Sequence, residues 1–410
     1  MVKEQVGTAV VGGGQAGLAM SYCLGQLGQE HIVLERHRVA QRWRERWDSL
    51  TFQGPNWNTS LPGFAFQAAD PSDFASRDDI VRFIEDYAAS IRAPLRCGVA
   101  AKRLYQKSGS TGLVIETSTG LLEARNVVIA TGPFQVPEAP LPIGGTALQL
   151  HSSRYRNPQL LPPGAVLVIG SANSGTQIAE ELCAAGRRVY LSVSKHRRTP
   201  RRYRGKDYVW WVNALGEGDA TVDPRQPPRL VTGVGGGHDV DLRRLAADGV
   251  VLLGRVLGGQ DGRLAIAPDL GENLARGDAS LVEFIKQADD HALCNELGFP
   301  LSDGPSGEIL SDPKQVADPI QTLDLAEAGI ATVIWANGFR YDFSWIDLPI
   351  FASSAEPSIR VPVHKRGITR VPGIYFLGLP WLHKYKSSHM YGVGEDAEHL
   401  AKHIAADVRR

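Results

Sequence analysis

The sequence predicts an α/β protein of two parallel-sheet units, the second inserted into the first. Three observations carry this. An apolar strand runs into a glycine turn and a helix near the N-terminus, the same order recurs after residue 164, and further strand-plus-turn segments flank the repeat. The length of 410 residues agrees, because at roughly 150 residues per domain it holds two to three domains with ample core.

The first segment is Thr8-Ala9-Val10-Val11 running into Gly12-Gly13-Gly14-Gln15-Ala16-Gly17 and then Leu18-Ala19-Met20-Ser21-Tyr22-Cys23-Leu24. Gly12 permits a tight turn, Gly14 lets the backbone approach a pyrophosphate, and Gly17 lets the helix lie against the strand. The next apolar run, His31-Ile32-Val33-Leu34, ends in Glu35. A carboxylate there accepts ribose hydroxyls and rejects a 2′-phosphate, as FAD requires. Gln15 and Ala16 of the turn, Arg36 beside the acid, and Val99 are assigned to the same site.

The second segment is Ala165-Val166-Leu167-Val168-Ile169 followed by Gly170-Ser171-Ala172-Asn173-Ser174-Gly175 and Thr176-Gln177-Ile178-Ala179. Gly170, Ser171, Asn173, Ser174 and Gly175 form the expected pyrophosphate loop. Its next strand, Arg188 to Val193, ends in Ser194-Lys195-His196-Arg197-Arg198 and carries no acid. Arg197 or Arg198, with Lys195, would pair with a 2′-phosphate and favour NADPH over NADH. A solvated basic loop is the alternative. The fold class is thus α/β with two Rossmann-like dinucleotide-binding domains, the NADPH domain inserted into the FAD domain. The boundaries expected are 1–150 and 319–410 for the FAD domain and 151–318 for the NADPH domain.

Two more strands end in small-residue turns: Val127-Val128-Ile129-Ala130-Thr131-Gly132 and Val333-Ile334-Trp335-Ala336-Asn337-Gly338. Thr131, Gly132, Asn337 and Gly338 suit close approach to a cofactor or a domain crossing. Gly373-Ile374-Tyr375-Phe376-Leu377-Gly378 reads as the last strand of the first sheet, with Gly378 at the cofactor. The glycine turn at 392–394 opens a C-terminal helix whose amides can face a flavin.

Composition excludes several function classes. Lys+Arg and Asp+Glu are 44 each, which argues against nucleic acid or an anionic membrane as the main partner. The four cysteines Cys23, Cys97, Cys183 and Cys294 lie far apart, so neighbours build no redox pair, zinc knuckle or disulfide framework. The first five residues show no charged-then-apolar signal pattern, and no run of about 18 apolar residues occurs. A soluble cytoplasmic protein without a metal is expected, with a homodimer left open.

These residues resemble the two-dinucleotide flavoprotein monooxygenases: flavin-containing, auxin-forming, N-hydroxylating and Baeyer-Villiger enzymes. The resemblance rests on Gly12-x-Gly14-x-x-Gly17, Glu35, Trp43-Arg44-x-Arg46-Trp47-Asp48-Ser49-Leu50, Ala130-Thr131-Gly132, His151-Ser152-Ser153-Arg154-Tyr155, Gly170-x-Ala172-x-Ser174-Gly175 and Ala336-Asn337-Gly338-Phe339. The His151 to Tyr155 segment matches the end of the family's identifying motif only in part, since Gly145 and Ala147 stand at its earlier positions. By this resemblance Trp43 lies beside the isoalloxazine, and Gln53, with Asn56 and Asn58 nearby, touches the flavin face where oxygen reacts. The family commonly places Asn there. Trp43 and Trp47 as core residues, and the Asn58 turn as plain loop chemistry, are the competing readings.

The resemblance implies that NADPH reduces FAD, that reduced FAD and O2 form a C4a-(hydro)peroxyflavin, and that a small organic substrate is oxygenated at N, S or a carbonyl carbon. Most of that reactivity belongs to the cofactor, so no acid-base triad is expected. His151 reads more readily as structural. His383, Lys384, Lys386 and His389 line a substrate entrance or form a solvated loop. The stretch 200–250, basic and aromatic, is a mobile lid or an aromatic helix on its own domain. The competing functions are an NADPH oxidase or flavin reductase, and a non-enzymatic FAD/NADPH-responsive binding module. A dithiol reductase is disfavoured by the dispersed cysteines.

Overall fold

The computed structural model describes residues 4–107, 112–138, 140–222, 225–299, 308–353 and 360–407. β1 (Glu4–Val11) is buried over its last six residues, as a strand covered on both faces must be. It is followed by α1 (Gln15–Gln26), β2 (His31–Glu35), α2 (Arg77–Ser90), β3 (Leu95–Cys97), β4 (Ala101–Gln106), β5 (Leu113–Thr117) and β6 (Leu121–Ile129). β1 pairs in parallel with β2 and β6, and β2 with β3. β4, β5 and β6 form an antiparallel meander on the same sheet.

The chain then builds a second sheet. Its elements are β7 (Leu148–His151), β8 (Ala165–Ile169), α3 (Asn173–Ala184), β9 (Val189–Ser192), α4 (Tyr208–Ala214), α5 (Leu242–Ala247), β10 (Val251–Leu253), α6 (Leu270–Cys294) and β11 (Ile330–Trp335). The strand order is β7-β11-β8-β9-β10, parallel throughout. β12 (Ile374–Phe376) returns to the first sheet beside β6, and α7 (Val393–Asp407) lies against α1. Two parallel-sheet units, one inserted into the other, are therefore present.

The boundaries expected from the sequence need correction. β7 and β11 pair within the second sheet, so the crossings lie before Leu148 and after Trp335, not at 150/151 and 318/319. β11 is an interior strand of that sheet, between β7 and β8, and is almost wholly buried. Its sequence looks like the end of the first unit because both units finish an interior strand with the same small-residue turn.

The segment after β2 joins the two cores. Trp43 packs against both hydrophobic clusters, while Trp47 and Leu50 are buried members of the second one, beside Tyr155, Val166 and Ile178. Hydrogen bonds lock the same segment to the connection between β7 and β8, from Asp48 N to Arg156 O at 2.9 Å and from Asn157 Nδ2 to Asp48 Oδ2 at 2.7 Å. α2 begins at a reciprocal cap, in which Ser76 Oγ accepts from Asp79 N and Asp79 Oδ2 accepts from Ser76 N, both at 3.1 Å.

The stretch read as a lid or a packed helix is the second. Trp211 of α4 is fully buried, in a cluster with Tyr203, Tyr208 and, on α6, Phe284 and Ala288. Among the described residues no helix is long and apolar enough to cross a membrane.

Trp47 fills the inserted unit's core from outside it. Trp47→Ala is expected to lower stability by about 3–5 kcal/mol, the cost of emptying a large buried aromatic site. Denaturant titration followed by fluorescence measures this, and an unchanged midpoint contradicts the shared core.

Candidate functional site

The first cradle is set by backbone contact. Gly12 has φ +117°, and a Cβ added there would lie 2.4 Å from Ala130 O; one added at Gly17 would lie 1.8 Å from Gly12 O. Only glycine allows the turn and the helix to meet so closely. At Gly14 an added Cβ meets nothing within 4 Å, so this face is open. Gly14 is also the N-cap of α1, with no side-chain cap and no acid in the first turn. The first amides of α1 are thus left for an anion.

Glu35 closes the same cradle. Its Oε2 accepts from Gly13 N at 2.8 Å and its Oε1 from His37 N at 2.9 Å. Two main-chain donors thereby aim a carboxylate at the turn. Val99 N donates to Glu35 O at 3.0 Å and braces the strand end, while Arg36 is exposed beside it. Gly378, at φ +75°, passes over the first turn of α1 so closely that an added Cβ would lie 2.6 Å from Ala16 Cβ. Thr131 and Gly132 sit at the neighbouring strand end and accept from Gln135 Nε2 at 3.0 and 2.8 Å. These elements fit a dinucleotide pyrophosphate and an unphosphorylated ribose.

The second cradle repeats the construction. An added Cβ at Gly170 (φ +107°) would lie 2.6 Å from Ala336 O, and one at Gly175 would lie 1.8 Å from Gly170 O. Ala172 is the N-cap of α3, again without a side-chain cap or a first-turn acid. Ser171 Oγ accepts from Ser194 N at 3.0 Å, and Asn173 Oδ1 from Val231 N at 3.0 Å. Both side chains therefore hold neighbouring loops, while Ser174 stays half-buried in the first turn of α3. Asn337 and Gly338 follow β11, directly beside Gly170.

Between the cradles runs the 51–58 turn. It is tied to 71–75 by Phe52 N to Ala75 O at 2.8 Å, Asn56 N to Asp73 O at 2.8 Å and Trp57 N to Pro71 O at 2.9 Å. Trp43 stands over Phe52 with ring centroids 5.6 Å apart, and its Nε1 lies 3.5 Å from Gln15 Oε1 in the first cradle. Gln53 and Asn58 are half-buried in this turn. Asn56 between them is buried, and its Oδ1 has no hydrogen-bond partner. Its Nδ2 donates to Asp70 O at 2.9 Å and holds the turn from inside.

A model of the family described as pyridine nucleotide-disulphide oxidoreductase matches residues 9–217. The chain belongs to this family. The uncharacterized oxidoreductase CzcO-like of Geobacillus kaustophilus (strain HTA426) is 33% identical over 407 residues, 97% of this chain and 98% of that protein. An indole-3-pyruvate monooxygenase of Oryza sativa subsp. japonica is 31% identical over 193 residues, 46% of this chain and 47% of that protein. A solved flavin-containing monooxygenase from Stenotrophomonas maltophilia shares the fold, with a TM-score of 0.68 at 19% identity, covering 99% of each chain. The chain is an oxidoreductase of the two-dinucleotide flavoprotein kind, with FAD and a pyridine nucleotide as its cofactors.

Despite the family's name, all four cysteines of this oxidoreductase are free thiols, and burial pushes that of Cys23 up to about 12. His151, at the end of β7, donates from Nε2 to Gly338 O at 2.9 Å and accepts at Nδ1 from Ser153 N at 3.1 Å. Both ring nitrogens are engaged, and burial lowers its pKa; it is a neutral brace. Lys384 and Lys386 take part in a cluster of ion pairs. Each bridges Asp219 of the inserted unit and Glu395 of α7, and His389 beside them is half-buried.

The loop after β9 corrects one assignment in this oxidoreductase. Arg198 is buried and pairs with Asp278 at 2.6 Å and Asp241 at 2.8 Å, with Arg243 sharing Asp278. Its guanidinium is spent inside the unit, so it does not reach a ribose phosphate. Arg197 is half-buried, donating to Pro227 O at 2.9 Å and to Gln226. Lys195 is exposed. Arg201 and Phe74, which the sequence did not single out as site residues, meet at the 51–58 turn. Arg201 stands in a basic run that reads as surface, and Phe74 carries no local signal.

Replacing Lys195 and Arg197 by Ala is expected to raise the NADPH Michaelis constant about 10-fold or more over that for NADH, the scale of lost charge-assisted bonds. Arg198→Ala is instead expected to cost about 3–5 kcal/mol of stability, because buried Asp241 loses its ion-pair partner and Asp278 is left with Arg243 alone. Steady-state kinetics with both nucleotides and thermal melts separate the two effects.

His196, under the same loop, is fully buried with Nε2 unpartnered, and burial lowers its pKa from 6.5. Above pH 6.5 it is neutral in both folded and unfolded states. As pH falls from 6.5 toward the depressed folded value, the unfolded chain binds a proton that the folded chain refuses, so stability falls. Denaturant midpoints at pH 7 and pH 5 are expected to differ less in His196→Asn than in the wild type.

Proposed function

We propose that this oxidoreductase is a single-component FAD- and NADPH-dependent monooxygenase that oxygenates a small organic molecule at nitrogen, sulfur or a carbonyl carbon, with O2 as co-substrate. The observation that carries the proposal is the pair of like-built cradles, one closed by Glu35 and the other ending in Lys195 and Arg197, in a chain whose cysteines are all free. A reduced flavin, when bound, supplies the electrons that activate O2.

The protein's own residues supply placement. Glu35 Oε1 and Oε2, fixed by main-chain amides, accept ribose hydroxyls of FAD, and the open first turn of α1 beside Gly14 and Gln15 receives its pyrophosphate. The first turn of α3, from Asn173 to Gly175, receives that of NADPH, with Lys195 and Arg197 at the 2′-phosphate. Trp43 and Phe52 cover one side of the turn and exclude water from it. Gln53 and Asn58 offer amides where substrate and oxygen meet. Built on amides and aromatic rings at the 51–58 turn, such a site leaves bond making to the cofactor and controls access and orientation.

The test is rapid mixing of the NADPH-reduced holoprotein with oxygenated buffer, followed by flavin absorbance and by peroxide release. A species distinct from both reduced and oxidised flavin, together with near-stoichiometric product per NADPH, is the expected outcome. Amines, sulfides, ketones and indole-3-pyruvate, the compound named by the rice relative, make up the substrate panel. Direct return to oxidised flavin with one peroxide per NADPH, unchanged by every substrate, would establish an oxidase or flavin reductase instead. Absence of NADPH turnover would leave the binding module.

A further inference from the structure

The basic stretch after β9 holds a contact that the nucleotide sites do not use. Arg201 is 2% exposed. Its Nε and Nη2 donate to the two carboxylate oxygens of Asp207, both at 3.0 Å, in the fork geometry that suits guanidinium and carboxylate. Its Nη1 reaches away from that pair, to Gln53 O at 2.9 Å and to Thr232 O at 3.4 Å. The guanidinium carbon lies 4.3 Å from the centre of the Phe74 ring, and Arg201 N donates to Asp239 Oδ1 at 2.6 Å. One buried cation therefore ties the turn of the first unit to a loop of the inserted unit.

Both ends of this tie lead to a nucleotide cradle. On one side Gln53 follows Phe52, which meets Trp43, which meets Gln15 in the first turn of α1. On the other, Thr232 is fully buried and its Oγ1 accepts from Gln177 Nε2 of α3 at 3.4 Å. The two segments touch backbone to backbone as well, since a Cβ added at Gly233 would lie 2.2 Å from Phe52 O. The helices whose first turns form the two cradles are thus joined by a continuous line of contacts with Arg201 at its centre.

We propose that Arg201 is a positioning residue that fixes the spacing between the two nucleotide sites and hence the geometry of hydride transfer from NADPH to FAD. In that step NADPH loses a hydride and becomes NADP+, and FAD gains two electrons and the hydrogen. The inference rests on the FAD and NADPH reading above. Arg201 touches neither reacting group; it acts through Gln53 and Thr232. A displacement of about 1 Å between reacting groups costs on the order of 100-fold in rate, so a tie of this kind affects the rate of reduction more than nucleotide affinity.

The test compares wild type, Arg201→Gln, Arg201→Lys and Phe74→Leu. Anaerobic mixing with NADPH gives the limiting rate of flavin reduction per bound FAD and the apparent NADPH dissociation constant. Hydrogen exchange of the protein without cofactors reads protection in residues 51–58 and 231–238. Arg201→Gln is expected to lower the limiting rate about 10- to 100-fold, to change the dissociation constant less than about threefold, and to lose exchange protection in both segments together. Arg201→Lys recovers part of the rate, and Phe74→Leu moves rate and exchange the same way by less.

A limiting rate per bound FAD within about twofold of wild type, or protection lost in one segment alone, would overturn the proposal. Where Arg201→Gln does not fold, Phe74→Leu decides by the same two criteria. If wild type itself is not reduced by NADPH, the cofactor reading has failed, and hydrogen exchange alone then decides whether Arg201 couples the segments.

Discussion

A helix leaves its first four amide groups without partners, and a protein must cap them, wet them or hold an anion against them. Here two helices, α1 and α3, start at an uncapped residue with no acid in the first turn. Each is held against its strand by a glycine that sits on a carbonyl of the preceding turn, Gly17 on Gly12 and Gly175 on Gly170. The sheet order, the buried central strands and the placement of Glu35 all serve to present those amides. Removing this constraint would leave two α/β units with no reason for their glycines.

The two cradles do not form a site unless they are held to each other, and the holding is done by side chains from unexpected places. Trp47 and Leu50 leave the first unit to complete the core of the second. Lys384 and Lys386 bridge carboxylates from both units. Arg201 comes back from the second unit to the turn that carries Gln53. Each contact is costly to form alone, because it orders long side chains or buries charge. Together they make the inserted unit and its host one packed body around the 51–58 turn.

Charge in the inserted unit is largely internal. The run 195–206 holds Lys195, Arg197, Arg198, Arg201, Arg202, Arg204 and Lys206, which as text is a basic patch. In space Arg198, Arg201 and Arg204 pair with Asp241 and Asp278, Asp207, and Asp289 in turn. The acids come from as far away as α6, so several cations of the run are neutralised inside the fold. What remains for a ligand is a smaller, more selective set of cations than the run suggests.

The strand-turn-helix units, the acid at the end of β2, the insertion of one unit in the other and the family itself were legible in the sequence, because each depends on a local spacing of glycine and apolar residues. The domain crossings were not, since β11 looks like any apolar strand with a small-residue turn, and only its pairing partners place it between β7 and β8. Arg198 could not be separated from Arg197 by sequence either. Neighbours in the chain, they point to different surroundings, and the carboxylates that claim Arg198 lie more than 40 residues away. The contacts of Arg201 and Phe74 likewise required the tertiary fold. Periodicity and turn chemistry are short-range and can be read from text; the partner of a buried charge is fixed by long-range packing, and only the folded chain decides it.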